Sequence, residues 1–236
     1  MTTILVTGFG RFHGAPSNPS GVLAIRLASL RRPALVGVKR VAHVFPTSYA
    51  AVDEQLPILV KQHRPNAIVM FGLATRTKHL RLERQARNQM LVLFPDAAGF
   101  VPSARAIRPH GPGRLRGRAP FSQLLAAVRS SGMAAALLHD AGRYVCNYVY
   151  WRALESSQQP HGPAVVVFVH VPKVVTKART PGSGRRRQLP DLVDLVRAGD
   201  AILRAVATEA RAAGLPSARP SPIAPKPALG VAAGPC

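Results

Sequence analysis

The stretch Val165-Val166-Val167-Phe168-Val169-His170-Val171-Pro172 decides the fold. With Ala164 it forms a run of six apolar residues ending at a histidine, the pattern of a strand buried on both faces of an α/β sheet. Catalytic and ligand-binding groups in such sheets gather at the carboxyl ends of strands. Upstream, Gly142-Arg143-Tyr144-Val145-Cys146-Asn147 leads into a helical pattern. A thiol at a helix start sits among unpaired N–H groups and the positive end of the helix dipole, which favour thiolate over thiol. Cys146 and His170 are 24 positions apart, and a helix start and a strand end can share one cleft. That is the skeleton of a cysteine hydrolase; a small core cysteine and a hydrogen-bonded structural histidine are the other reading of the same two residues.

Outward from this strand, the chain alternates extended and helical patterns. Thr3 to Val6 reads as a strand followed by a glycine-rich loop, and Pro19 opens a helix after Asn18 as N-cap. Leu35 to Val44 reads as a strand, and Thr47 caps a helix whose Pro57 marks a kink or a boundary. Ala67 to Phe71 is a continuous apolar strand, and residues 79–94 read as extended. The Pro-, Gly- and Arg-rich stretch Phe100 to Ala119 predicts an excursion without regular structure. Phe121 to Arg129 reads as a helix, Ala134 to Leu138 as a strand, Tyr144 to Glu155 as the helix after the cysteine's turn, and Leu189 to Ala213 as the last helix. The alternation predicts a three-layer α/β/α fold, with a largely parallel, twisted sheet covered on both faces. One domain is expected over 1–214. The segment 215–236, with six prolines in 22 residues, predicts a disordered tail, and 176–188 a flexible basic loop.

Of 236 residues, 47% are hydrophobic, enough for one large core. No apolar run approaches the ~20 residues that span a bilayer. Met1-Thr2-Thr3 enters an apolar strand without a basic region or cleavage site, so it does not read as a signal peptide. Two cysteines, the second being the final Cys236, make no disulfide framework. The expected compartment is the cytoplasm. The net charge of +22 is of the kind that suits polyanions. Only six of the 32 basic residues are lysine, however, and they stand without interleaved aromatics. The densest groups fall in loop-like stretches, Arg105 to Arg118 and Lys173 to Arg187. No nucleic-acid motif accompanies the charge, which leaves nonspecific adhesion at low salt rather than specific recognition.

Two further segments join the first two. They are Thr7-Gly8-Phe9-Gly10-Arg11-Phe12-His13-Gly14 running to Asn18-Pro19-Ser20, and Gly72-Leu73-Ala74 followed by Leu82-Glu83-Arg84-Gln85-Ala86-Arg87-Asn88. In order and spacing the four segments resemble the pyroglutamyl peptidase I family of cysteine peptidases, from Thr3 to about Gly214. The most specific match is Asp140-Ala141-Gly142-x-Tyr144-x-Cys146-Asn147. The resemblance implies hydrolysis of the bond after an N-terminal pyroglutamate, no cofactor, and a homo-oligomer, commonly a tetramer.

A cysteine peptidase needs a nucleophile, a base, a group that orients the base, and donors for the oxyanion. Cys146 suits the first role and His170 the second, since imidazole accepts the thiol proton and imidazolium returns one to the leaving amine. The resemblance assigns the third role to Glu83, which read by itself could equally be a surface glutamate paired with a neighbouring arginine. Backbone N–H groups around Tyr144 to Cys146 suit the oxyanion. The resemblance also implies that Phe9, Phe12 and Tyr144 surround a flat, neutral lactam ring, with Asn18 near the pocket.

Three departures bear on activity or specificity. Thr75, Arg76 and Thr77 stand where the family has two glycines and an arginine. Leu91, Val92, Leu93 and Phe94 carry no arginine before Pro95, and Arg11 and His13 replace smaller residues. A catalytically weak or non-enzymatic binding protein on the same scaffold, and a hydrolase of another cyclic amide, are therefore the alternatives. Dinucleotide binding through Gly8-x-Gly10 fails, because the sixth position is His13 and no acidic residue precedes Asp53. No helix pair of histidines or Cys-x-x-Cys suggests a metal.

Overall fold

The computed structural model describes residues 1–12, 15–175 and 189–213. The basic loop 176–188, the segment beyond Ala213 with Cys236, and His13 lie outside the described residues.

Strand β1 (Thr2–Phe9) is buried from Thr3 onward. Helix α1 (Pro19–Ser29) starts as the sequence predicts: Pro19 occupies the first turn, and Asn18 Oδ1 accepts the Ser20 N–H at 3.1 Å. Its buried stripe includes Leu23, Ala24 and Leu27. The next strand does not begin at Leu35. Pro33 first closes a 3₁₀ turn through Leu35, and β2 runs from Val38 to Phe45. Helix α2 (Tyr49–His63) is capped by position 48 rather than Thr47, and Pro57 lies inside it. Asp96, 47 residues away, supplies a cap through Oδ2, which accepts the Tyr49 N–H at 2.9 Å.

Strands β3 (Ala67–Leu73), β4 (Leu80–Glu83) and β5 (Gln85–Arg87) follow. The stretch expected to lack regular structure contains β6 (Arg114–Arg116), which pairs antiparallel with β5. Just beyond it, Arg118 exchanges two backbone hydrogen bonds with Val166, at 3.1 and 2.7 Å. Proline and glycine flank these short pairings without interrupting them, so composition alone pointed the wrong way there. Helix α3 (Phe121–Ser130), strand β7 (Ala135–Leu138), helix α4 (Val145–Ser156), strand β8 (Val165–Val171) and helix α5 (Leu192–Ala213) complete the order. Helix α5 starts at Leu192, after Asp191 and Asp194 exchange reciprocal backbone-to-carboxylate bonds of 2.8 and 3.2 Å.

The main sheet has the order β2-β1-β3-β8-β4-β7. The first four strands are parallel, so their carboxyl ends emerge along one edge. β4 pairs antiparallel with β8 and parallel with β7. The sheet is therefore mostly parallel, with two strands reversed. One face packs on α1, α3 and α5 through residues such as Leu27, Val128 and Ile202. The other packs on α2 and α4 through Val52, Trp151 and Phe168. This is the three-layer α/β/α arrangement, and β8, buried at all seven positions, runs through its centre.

Candidate active site

At the carboxyl edge of β1, β3 and β8, a cavity of about 370 Å³ opens against the start of α4. Phe9, Phe12, Asn18, Tyr144, Cys146 and His170 all line it. Six of the seven residues singled out in the sequence thus share one cavity, and the seventh, Glu83, lies directly behind His170.

His170 is the penultimate residue of β8 and only 6% exposed. Glu83 ends the neighbouring antiparallel β4, opposite Phe168, so it lies diagonally across from His170 on the same sheet face. Its Oε1 stands 2.8 Å from His170 Nδ1. A carboxylate only accepts, so the ring hydrogen belongs on Nδ1 and the Nε2 lone pair is left for a proton. Glu83 is fully buried, and the Tyr150 hydroxyl donates to its backbone carbonyl at 2.8 Å. Phe168 meets the imidazole edge-on, with ring centres 4.9 Å apart.

Cys146 sits in the first turn of α4. Asp140 Oδ1 accepts the Gly142 N–H at 2.9 Å, and Gly142 has φ +86°, which turns the chain into the helix. Tyr144 is the N-cap and makes no side-chain capping bond, which leaves first-turn N–H groups for a ligand. Gly72, on β3, makes room for the sulfur: a Cβ there would stand 2.8 Å from Sγ.

The expectation of a resting thiolate is not met. Burial pushes the Cys146 thiol up from 9.0 to about 12, the negative charge of Glu83 adds to the rise, and the residue's own N–H opposes it. A helix dipole contributes at most about 2 kcal/mol in a partly buried geometry. With about 1.4 kcal/mol moving a pKa by one, that offsets only part of the rise from 9.0 to about 12. Desolvation wins, and the thiol keeps its proton at neutral pH.

Phe9 is buried against Phe45, with ring centres 6.2 Å apart, and lines the cavity. Phe12 and Tyr144 form a tilted pair at 6.4 Å. Both also line an adjoining apolar cavity of about 430 Å³ with Leu91, Phe94 and Pro95. Tyr144 donates its hydroxyl to the Pro95 carbonyl at 2.8 Å. Asn18 reaches the wall, yet its amide is already engaged: Nδ2 donates to Gly10 O at 3.0 Å while Oδ1 caps α1.

Three residues with structural weight were missed in the sequence as far as their roles go. Asn147 is fully buried; its Oδ1 accepts the Arg87 N–H at 2.8 Å, and Nδ2 donates to Arg87 O and Gln89 O. It ties β5 to α4 beside the cysteine, and a polar residue flanked by apolar ones at a helix start was the available signal. Asp96 organises the loop by accepting from Ala98 and Phe100 N–H groups as well as from Tyr49. Arg81 places Nε 2.9 Å from Glu83 Oε1 and lines the cavity. No local pattern announces either of these last two contacts.

Among the described residues no helix is long and apolar enough to cross a membrane, and no group of three or more His, Cys, Asp or Glu side chains is gathered for a metal ion.

The chain is similar to several known proteins. The pyrrolidone-carboxylate peptidase of Deinococcus radiodurans is 34% identical over 174 residues, which cover 73% of this chain and 78% of that protein. That of Cupriavidus necator is 32% identical over 184 residues, 77% and 84% of the two chains. The crystal structure of pyrrolidone carboxyl peptidase from Fervidobacterium islandicum superposes with a TM-score of 0.76 at 27% identity, covering 88% of this chain and 99% of that one. The Thermococcus litoralis pyrrolidone carboxyl peptidase shares the fold, with a TM-score of 0.78 over 90% of this chain and 96% of that one at 24% identity. The family model described as pyroglutamyl peptidase matches residues 2–190, four-fifths of the sequence, and the chain belongs to that family.

Proposed function

We propose that the protein is a cysteine peptidase that removes pyroglutamate from the N-terminus of peptides. Cys146 is the nucleophile, His170 the base and then the acid, and Glu83 the residue that orients the imidazole. The observation that carries this reading is the 2.8 Å contact between His170 Nδ1 and Glu83 Oε1, behind a cavity that also holds Cys146.

The chemistry follows from the protonation states. His170 Nε2 takes the thiol proton as sulfur attacks the carbonyl of the pyroglutamyl residue. N–H groups in the first turn of α4 receive the negative charge on the carbonyl oxygen. The imidazolium gives its proton to the leaving amine, the C–N bond breaks, and a thioester to Cys146 remains. Water, deprotonated by the same imidazole, attacks the thioester; sulfur leaves and is reprotonated, and free pyroglutamate departs. A thiol that titrates near 12 at rest makes proton transfer part of the attack rather than a prior equilibrium.

The lactam ring is flat and uncharged, which suits the aromatic wall of Phe9, Phe12 and Tyr144. Such a substrate has no α-amine, so the site needs no carboxylate to hold an N-terminus. A nucleophilic thiol works only while reduced, which suits the cytoplasm. The homo-oligomer implied by the family likeness is open to a light-scattering mass measurement.

Release of a chromogenic amine from pyroglutamyl, prolyl and alanyl amides tests the reading. Turnover of the pyroglutamyl amide alone is expected. Equal turnover of the alanyl amide, or none of the three, would overturn it.

A further inference from the structure

Arg81 is the one cation in direct contact with the buried acid among the described residues, and the proposed chemistry gives it no task. It is directly opposite His170 in the antiparallel register of β4 and β8, two positions before Glu83 on the same face. Its Nε stands 2.9 Å from Glu83 Oε1, the oxygen that also holds His170 Nδ1. The Nε–H is not aligned on that oxygen, and Glu83 Oε2 is buried without a hydrogen-bond partner. The contact is therefore charge against charge rather than a fork of two hydrogen bonds. At the other end of the guanidinium, Nη2 donates to the Asp140 carbonyl at 2.7 Å. Asp140 starts the turn that carries Gly142, Tyr144 and Cys146, and Arg87 holds its carboxylate at 3.1 Å.

We infer that Arg81 is a positioning residue that joins the two halves of the site, countering the charge of Glu83 behind His170 while anchoring the turn that presents Cys146. The inference rests on the assignment of Glu83, Cys146 and His170 made above. A fully buried carboxylate costs several kcal/mol to desolvate unless a cation faces it, and a neutral imidazole is no cation. The charged and titratable groups around Glu83 are Arg81 on its own strand, His170 on β8, and Cys146 and Tyr150 on α4. Of these only Arg81 carries a permanent positive charge. With it in place, a positive charge faces the buried carboxylate that holds the ring. Without it, either of two outcomes works in the same direction. The carboxylate either takes up a proton and stops orienting the ring, or acts alone on the imidazole and favours its protonated form. Each delays the appearance of an oriented, neutral base to higher pH.

The test compares wild type with Arg81→Met, which keeps volume and removes charge, and Arg81→Lys, which keeps the charge. Wild-type turnover of a pyroglutamyl amide tests the assignment on which the inference rests, separately from the variants. In Arg81→Met the acidic limb of the kcat/KM profile is expected to move to higher pH. Its kcat should fall by about 10²-fold, the cost typical of a misplaced catalytic group, with KM changing less. Arg81→Lys should return the acidic limb toward wild type while leaving kcat low, because one ammonium cannot reach both Glu83 and Asp140. NMR titration of the His170 ring in the Cys146→Ala background reads the same displacement without turnover, so it stands even if the substrate assignment fails. A folded Arg81→Met with an unmoved acidic limb and an unmoved His170 titration would overturn the inference. If Arg81→Met does not fold, a wild-type kcat in Arg81→Lys, or a displaced limb in that charge-retaining variant, would do the same.

Discussion

Gly72 and Cys146 occupy what would otherwise be the same space. A Cβ on Gly72 would stand 2.8 Å from the sulfur and 2.7 Å from the Phe168 ring. Gly72 is paired with His170 in the β3–β8 register, so the smallest residue lies beside the base and beneath the nucleophile. Gly72→Ala is expected to push the thiol or Phe168 aside. The cost should be about 1–3 kcal/mol of stability, typical of overpacking, and about 10²-fold in kcat. Thermal unfolding and turnover of a pyroglutamyl amide measure both, and unchanged values would mean that the sulfur has room elsewhere.

Cys146→Ala, Cys146→Ser and His170→Ala should each lose about 10³-fold or more in kcat, leaving what binding and oxyanion donors supply. Glu83→Gln should lose less activity, since the ring remains. It should also lose stability, because it leaves Arg81 without its buried partner, a change that typically costs about 3–5 kcal/mol. Steady-state kinetics with chemical denaturation separate the two effects. A Glu83→Gln protein as active and as stable as wild type would remove the acid from the site.

The raised pKa of Cys146 carries a sign that labelling can read. Below about 12 the resting thiol is neutral, so alkylation by iodoacetamide should be slow at pH 7 and rise about tenfold per pH unit toward that value. Peptide mapping separates this site from Cys236. Since the unfolded thiol ionises first, near 9.0, the native state should also lose stability as pH rises from there toward 12. Labelling that levels off below pH 8 would show a thiolate at rest.

Asp96 behaves in the opposite sense. Burial raises its carboxyl, but N–H donors from Tyr49, Phe100 and Ala98 and the Ser48 side chain outweigh it and hold the group below its ordinary value of 3.8. Its contribution is therefore present above that value and lost as pH falls through the lowered native one. Asp96→Ala should cost about 0.5–2 kcal/mol near neutrality, the usual worth of a helix cap. The gap between the two proteins should close in acid. A gap that is constant from pH 7 to pH 2 would assign the loss to packing instead.

The parts of the fold legible in the sequence are those with local causes. The run ending at His170 is apolar because both sheet faces cover it, and Asn18-Pro19 starts α1 through its own side chain and ring. The cysteine and histidine could be brought together on paper because each sits at the end of an element that advertises itself. What stayed hidden depends on partners distant in the chain. The reversal of β4 and β7 is set by pairing with β8, and strands of four residues carry too little period to show direction. Arg81 gains meaning only once β4 lies beside β8, and Asp96 only once its loop reaches α2. The thiol's protonation is not legible there, because the dipole is visible in sequence and desolvation is not.

Strand β8 is the last strand in the chain, yet it lies in the middle of the sheet, between β3 and β4. During synthesis, every other strand and the cysteine-bearing helix emerge before the segment that fills this gap. Until it arrives, Glu83 on β4 and Cys146 on α4 are present without His170. The site can assemble only once β8 has entered the sheet, and the contact of His170 with Glu83 is a report that the central gap has closed.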